Sequence, residues 1–345
     1  MALNMTTFAA ALKQHYTNER IENMVYKDNP FLAMVSKYEQ FGGENLKLPI
    51  KYGIPQGRSA TFSDAQANKT NSQLKAFLLT RVADYSLASI ANETIEASKG
   101  NANAFMEAAT FEIDGAIESA TRSLAIGLFG DGGGSIGRVD TTVTGTTPTL
   151  TTAQDITNFE VGMQIDFYTA ATGGTVRAGG PLTIDSVNRD AGSMVLATSM
   201  TGITSLTALD FIVPEGDYDL KVSGLKAWIP STAPTSGDSF FSVDRSADST
   251  RLAGIRFDAS SLPLEEGLIG AAARVAREGG KPDVCFINYN NFADLEKALG
   301  SKVSYIDQKV NPEIGFRGIL IHGPRGPIKV IPDQNCPNNV AFMLQ

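Results

Sequence analysis

Residues Leu46 to Leu87 read as two strands around a long polar segment, and one long helix follows almost at once. The first strand, Leu46-Lys47-Leu48-Pro49-Ile50-Lys51-Tyr52, alternates apolar and polar residues with period two. On the return, Phe77, Leu79, Ala83, Tyr85 and Leu87 share one face. Between them, Gly53 to Gln73 is rich in Gly, Ser, Asn and Gln. A two-stranded ribbon is at best marginally stable in water. At about 3.3 Å per residue it reaches roughly 30 Å from its base. Such an arm needs a surface to lie on, and with little of its own chain to cover it, a neighbouring subunit is expected to supply one.

The helix predicted over 101–130 carries Ile113, Ile117, Ala120, Leu124 and Leu128 at steps of three or four, extended by Phe105 and Ala109. Glu107, Asp114, Glu118 and Arg122 mark the opposite face, and Gly130-Asp131-Gly132-Gly133-Gly134 stops it. Ahead of the hairpin, residues 1–45 read as an arm in which Phe8, Leu12 and Tyr16 share a helical face. Asn29-Pro30 ends that pattern, and Gly42-Gly43 breaks the chain. Residues 89–100 are a short helical connection.

From Val139 to about Val222 the chain turns rich in Thr, Gly, Val and Ile. Short alternating runs appear, such as 164–168, 182–187 and 193–196. This spacing predicts a small all-β barrel or sandwich inserted into a parent chain, with its ends close together. After Trp228 the pattern is α+β. Leu264, Leu268, Ala272, Val275 and Ala276 form a helical stripe, and Val284–Ile287 a buried strand. Asn291 is placed to cap a second helix, and strands at 319–321 and 328–331 pair around His322–Pro327. Val340 to Leu344 reads as a last strand.

With 345 residues and 42% hydrophobic content, the chain has material for one large or two to three ordinary cores. A net charge of -8 argues against dedicated nucleic-acid binding, which shows as a basic patch. No run reaches the ~18 apolar residues of a transmembrane helix, and the N-terminus lacks signal-peptide features, so a cytoplasmic origin is expected. Cys285 and Cys336 read as small apolar residues rather than as a disulfide framework.

No catalytic, cofactor or metal set emerges. Gly132–Gly137 matches Gly-x-Gly-x-x-Gly by spacing, but a helix precedes it where dinucleotide binding needs a strand. His15 and His322 belong to no metal motif. Glu215, Asp217 and Asp219 have calcium-type spacing but read as a solvated turn. No Gly-x-Ser-x-Gly elbow occurs.

Taken in order, the elements resemble the major capsid proteins of tailed double-stranded DNA bacteriophages, the Hong Kong ninety-seven fold. The resemblance runs through Asn29-Pro30-Phe31-Leu32 in the arm and Leu46-Lys47-Leu48-Pro49 opening the loop. It continues through Ala60–Ala65 near the tip, Phe77 with Arg81 on the return, and Leu128-Phe129-Gly130-Asp131-Gly132 ending the helix. It implies an α+β capsid fold laid out as N-terminal arm (1–45), extended β-hairpin loop (46–88) and peripheral domain with spine helix (89–137). An inserted β domain (138–222) and an axial domain with returning strands (223–345) complete it.

The function implied is a non-enzymatic subunit, without cofactor, that self-assembles into hexamers and pentamers of an icosahedral head. The alternative is an encapsulin-like compartment. Partners would be further copies, a portal, scaffolding or decoration proteins, and DNA contacted non-specifically, with no membrane. Assembly would occur in the host cytoplasm and the product would be the virion. Phe62, Phe77, Leu79, Arg81 and Tyr85 are the intersubunit contact candidates, and Lys69 at the tip is the position for a crosslink of the kind some relatives form. Only residues 1–45 precede the loop, so no long scaffolding segment is expected there.

Overall fold

The computed structural model describes residues 29–36, 38, 45–93, 108–299, 305–311 and 314–345. It is a mixed α+β protein with several sheets and few helices. The readings at Phe8, Leu12, His15, Tyr16, Gly42-Gly43, 94–100 and 101–107 lie outside the described residues. Two compact units divide the chain: Met1–Asn29 with Ala83–Ile126, and Pro30–Val82 with Gly127–Gln345. No described helix is long and apolar enough to cross a membrane.

The second unit opens with a short helix α1 (Pro30–Met34), so Pro30 begins a helix where the sequence was read as ending one. Proline suits that position because its missing N–H would have no helical partner anyway. The next amide, Phe31 N, donates to the Asp333 carboxylate at 2.9 Å, across 302 residues of chain. Asp333 also accepts from Asn335 N. Burial raises its pKa, and these two hydrogen bonds work against the rise.

A hairpin follows, of β1 (Asn45–Gly53) and β2 (Gln73–Thr80), with a short helix α2 (Phe62–Ala67) in its tip. The return strand ends earlier than its alternation predicts. Its last residue, Thr80, pairs with Asn45, the first residue of β1, and among the described residues 81–89 form no strand.

The long helix α3 (Ala108–Phe129) belongs to the first unit up to Ile126 and ends in the second. Within the first unit Ser123 Oγ donates to Asp84 at 2.7 Å. Of the apolar stripe, Ile113, Ile117, Ala120 and Leu124 are exposed and Leu128 is half-buried against the Phe31–Phe129 core, while on the opposite face Asp114 is exposed and Glu118 and Arg122 are half-buried.

The inserted segment contributes β3 (Gly137–Arg138), β4 (Gln164–Tyr168), β5 (Leu182–Asn188), β6 (Ser193–Leu196) and β7 (Phe211–Pro214). They form an antiparallel sheet ordered β3-β7-β4-β5-β6. The segment around Thr149 bridges its two edges, pairing Leu150 with Val139 beside β3 and Thr149 with Ser193 of β6. The strands therefore close into a small barrel around Phe159, Ile165, Phe167, Ile184, Met194 and Ile212, all fully buried. Its ends run side by side, with Lys221 N donating to Gly132 O and Asp219 N to Gly133 O. Immediately after, Gly224 lies so close to α3 that a Cβ would collide with the carbonyl oxygens of Gly127 and Leu128.

Beyond the barrel come α4 (Leu225–Trp228), the small ribbon β8 (Ser239–Phe240) and β9 (Val243–Asp244), and α5 (Leu264–Arg277). Then follow β10 (Val284–Ile287), α6 (Tyr289–Leu299), β11 (Tyr305–Asn311), β12 (Ile314–Gly323), β13 (Gly326–Pro332) and β14 (Ala341–Leu344). The last five strands make a mixed sheet ordered β11-β12-β13-β10-β14. The 319–321 and 328–331 runs pair, Ile321 opposite Ile328. Asn288, not Asn291, sits at the start of α6 and accepts from Asn290 N; Asn291 bonds Asn339 instead.

Period-two alternation splits the residues of this sheet between two cores. Cys285, Ile287, Ile328 and Val330 meet Leu268, Phe292 and Leu295 of α5 and α6. Phe286, Ile331 and Phe342 meet Phe31 and Phe129, whose rings lie 4.9 Å apart. The two cysteines are buried and free, one in each core. Burial pushes the Cys285 thiol up to about 12 and Cys336 higher still, so neither is poised for thiolate chemistry.

Asp155, in the 3-10 turn of the barrel, is pushed up to about 6 by burial, with Lys226 pulling weakly the other way. A raised pKa means the folded chain binds the proton more tightly than the unfolded one. This group's contribution is therefore fully present below about 4 and is lost as pH rises through about 6. Asp155→Asn is expected to stabilise the chain at pH 7.5, by as much as about 3 kcal/mol. That advantage should vanish near pH 4. Urea unfolding of both proteins across pH 4–8 checks it; a pH-independent difference would exclude titration of Asp155 as its source.

Candidate functional site

The hairpin is the chain's most unusual surface, and its two faces differ. Cross-strand pairing puts Leu46 with Leu79, Leu48 with Phe77 and Ile50 with Lys75 on one face. The other carries Lys47 with Leu78, Pro49 with Ala76 and Lys51 with Leu74.

The first face is clamped by the chain itself. Phe77 is 3% exposed and packs edge-on against Trp228 at 5.2 Å, with Phe240, Val243 and Leu252 around it. Leu79, Ile50 and Tyr52 pack on the same cluster. Polar contacts reinforce it. Leu78 N donates to Phe241 O, Lys75 Nζ to Asp244 O at 2.7 Å, and Arg251 Nη1 to Tyr52 O at 2.6 Å.

The gripping turn, Phe241-Ser242 between β8 and β9, has both residues at positive φ, 46° and 66°. Two-residue hairpins of this geometry ordinarily use Asn-Gly. Outside glycine it is a costly conformation, held when the surroundings over-determine it. Here the Phe241 ring rests on Trp228 at 5.8 Å. Arg245 stacks 4.2 Å over Phe240 and donates to Ala227 O at 2.7 Å.

This overturns the reading of a hairpin with no cover of its own. Phe77 is buried in an intramolecular core, and Leu79 packs half-buried against it. The partners were unreadable because they lie some 150 residues downstream, in a turn without a turn signature. Phe62 and Tyr85 are 84% and 83% exposed, and Arg81 is exposed.

The tip is a self-contained structure. Gln56 and Thr70 exchange hydrogen bonds, Gln56 N to Thr70 Oγ1 and Thr70 N to Gln56 O. Thr61 Oγ1 donates to Asp64, and Asn68 N to Asp64 O. Its exposed side chains include Phe62, Ile54 and Lys69. Residues 45–80 carry five basic side chains and one acidic, a net of +4 in a chain of net -8. The hairpin is thus a basic arm with apolar spots on an otherwise acidic protein, a charge arrangement legible in the sequence and missed there.

Chemistry is sparse elsewhere. Among the described residues no three His, Cys, Asp or Glu side chains form a metal-type cluster. Asp217 pairs with Lys221 at 3.1 Å, and Asp219 accepts from Gly173 N. Gly132–Gly134 form the turn that leads into the barrel, with Gly133 packed on the Ala171 carbonyl. His322 is exposed where β12 ends. No family model, no curated protein and no solved structure matches this chain.

Proposed function

We propose that this chain is a shell-forming structural subunit with the fold of the major capsid proteins of tailed double-stranded DNA bacteriophages. It would build hexamers and pentamers of an icosahedral head in the host cytoplasm and end in the virion, around DNA that it contacts without sequence preference. The observation that carries the reading is the hairpin. Its base is anchored on its own chain, and its tip presents exposed Phe62 and Ile54 with basic neighbours. The remainder of the same chain is acidic, so the arm is electrostatically complementary to another copy. Such complementarity sets encounter rate and register, while buried apolar anchors supply the affinity. The order of loop, long helix and closing α+β region supports the resemblance, the barrel being an insertion outside it.

Negative-stain microscopy and sedimentation velocity on purified protein test this directly. Hexamers, pentamers or closed shells are expected, with association slowing as salt is raised. A strictly monomeric protein at high concentration and low salt would reject the reading.

A further inference from the structure

Two tyrosines lie face to face where the barrel's ends run side by side. Tyr168 is the last residue of β4, and Tyr218 lies in the segment that leaves the barrel after β7. Their ring centroids are 3.7 Å apart and their planes 9° from parallel. Aromatic pairs ordinarily sit offset or edge-on with centroids about 4.5–7 Å apart. The Phe31–Phe129, Phe77–Trp228 and Trp228–Phe241 pairs keep to that range, at 4.9, 5.2 and 5.8 Å. The tyrosine pair is closer, and it is held there. The Tyr218 hydroxyl donates to Ala170 O at 2.9 Å and accepts from Gly174 N at 2.6 Å. The Tyr168 backbone is fixed by Phe211 of β7 and by a bridge to Val176. Both residues are half-buried, so part of each ring remains open to solvent. Burial first, and then the Asp166 carboxylate, raises the Tyr168 phenol pKa. The negative charge that keeps the proton on the oxygen also favours removal of an electron from the ring.

We propose that Tyr168 and Tyr218 are a site of oxidative crosslinking, joined carbon to carbon by a one-electron oxidant driven by peroxide. Each ring gives up one electron and its phenolic proton, and the two phenoxyl radicals couple between carbons ortho to the oxygens. The ring protons at the new bond then move to the oxygens and restore both phenols. The pair has lost two electrons and two protons, which turn one hydrogen peroxide into two waters. Contact between the ring faces is what the coupling needs, since prior positioning replaces a chance encounter of two radicals. The bond ties the end of β4 to the segment leaving the barrel, a covalent staple beside the paired strands at Gly132–Gly133 and Asp219–Lys221. It is independent of the shell-forming reading.

Oxidation of the dilute full-length chain with hydrogen peroxide and a small haem catalyst tests it. The intact mass of the monomer should fall by two hydrogens, and digestion should give a peptide pair joined through Tyr168 and Tyr218. Tyr168→Phe and Tyr218→Phe keep the rings and should each abolish that link. Tyr85→Phe, at a tyrosine 83% exposed, should leave it unchanged. Oxidation of the chain in urea is the second readout. Without the stack to position the rings, the yield of the 168–218 link should drop by about tenfold or more. No link, links only at other tyrosines or between chains, or an equal yield from the unfolded chain would each overturn the proposal.

Discussion

Replacing Gly57–Asn71 with a short Gly-Ser turn is expected to leave the folded monomer nearly as stable as before and to abolish closed particles. The tip's hydrogen bonds close on themselves between Gln56 and Thr70 and around Asp64, so its removal takes little from the rest of the chain. The anchoring contacts of Tyr52, Lys75, Phe77 and Leu78 lie outside the deleted stretch. The deletion does remove Phe62, Arg58 and Lys69, and with them an exposed aromatic and two of the five positive charges of the arm. Surface changes away from buried features usually shift stability by no more than about 0.5 kcal/mol. Melting temperature and particle yield are measured on the same variant. Normal particles would sink the role of the tip in assembly; a large drop in melting temperature would mean the tip also supports its own subunit.

Phe77→Ala should do the reverse, costing about 3–5 kcal/mol of stability before assembly is considered. Phe77 is enclosed by Trp228, Phe240, Val243 and Leu252, and truncation leaves a cavity that the strained Phe241-Ser242 turn is poorly placed to fill. Losing that contact also loosens the grip on β2 made through Leu78 N and Phe241 O. Phe62→Ala is the control. It removes the same ring from a site 84% exposed, so its stability change should be near zero while its particle yield falls. Denaturant unfolding of the two variants decides the matter. Equal losses at positions 62 and 77 would show that the aromatic clamp does not hold the hairpin.

Much of the architecture was legible because local patterns carried it. The strand runs at Gln164–Tyr168, Ser193–Leu196 and Val284–Ile287 alternate or cluster in the way strands require, and Gly-rich punctuation bounded them. The two helical stripes after Leu264 were visible for the same reason. The candidate site was legible in outline only. Of the residues read as intersubunit contacts, Phe62 and Tyr85 are exposed, whereas Phe77 and Leu79 pack on Trp228 and the β8–β9 turn of their own chain. No local signal marks a Phe-Ser pair as the grip of a clamp, since that backbone is dictated by what packs on it.

The amino-acid pattern by itself located the barrel strands, the buried strand Val284–Ile287 and the helix after Leu264, because periodicity and turn residues act over a few residues. Only the tertiary structure decided which faces are covered, because cover comes from segments far apart in sequence. Most of the apolar stripe of α3 is exposed although its spacing marks it as buried, and the hairpin is held at home although it looks unsupported. The Asp333 carboxylate that receives the Phe31 amide lies 302 residues away. Closure of the barrel likewise depends on the short segment at Thr149-Leu150, whose two single bridges join edges that no periodicity connects. Hydrogen-bond satisfaction and apolar burial are requirements on the whole chain, so their partners emerge only when the chain is folded.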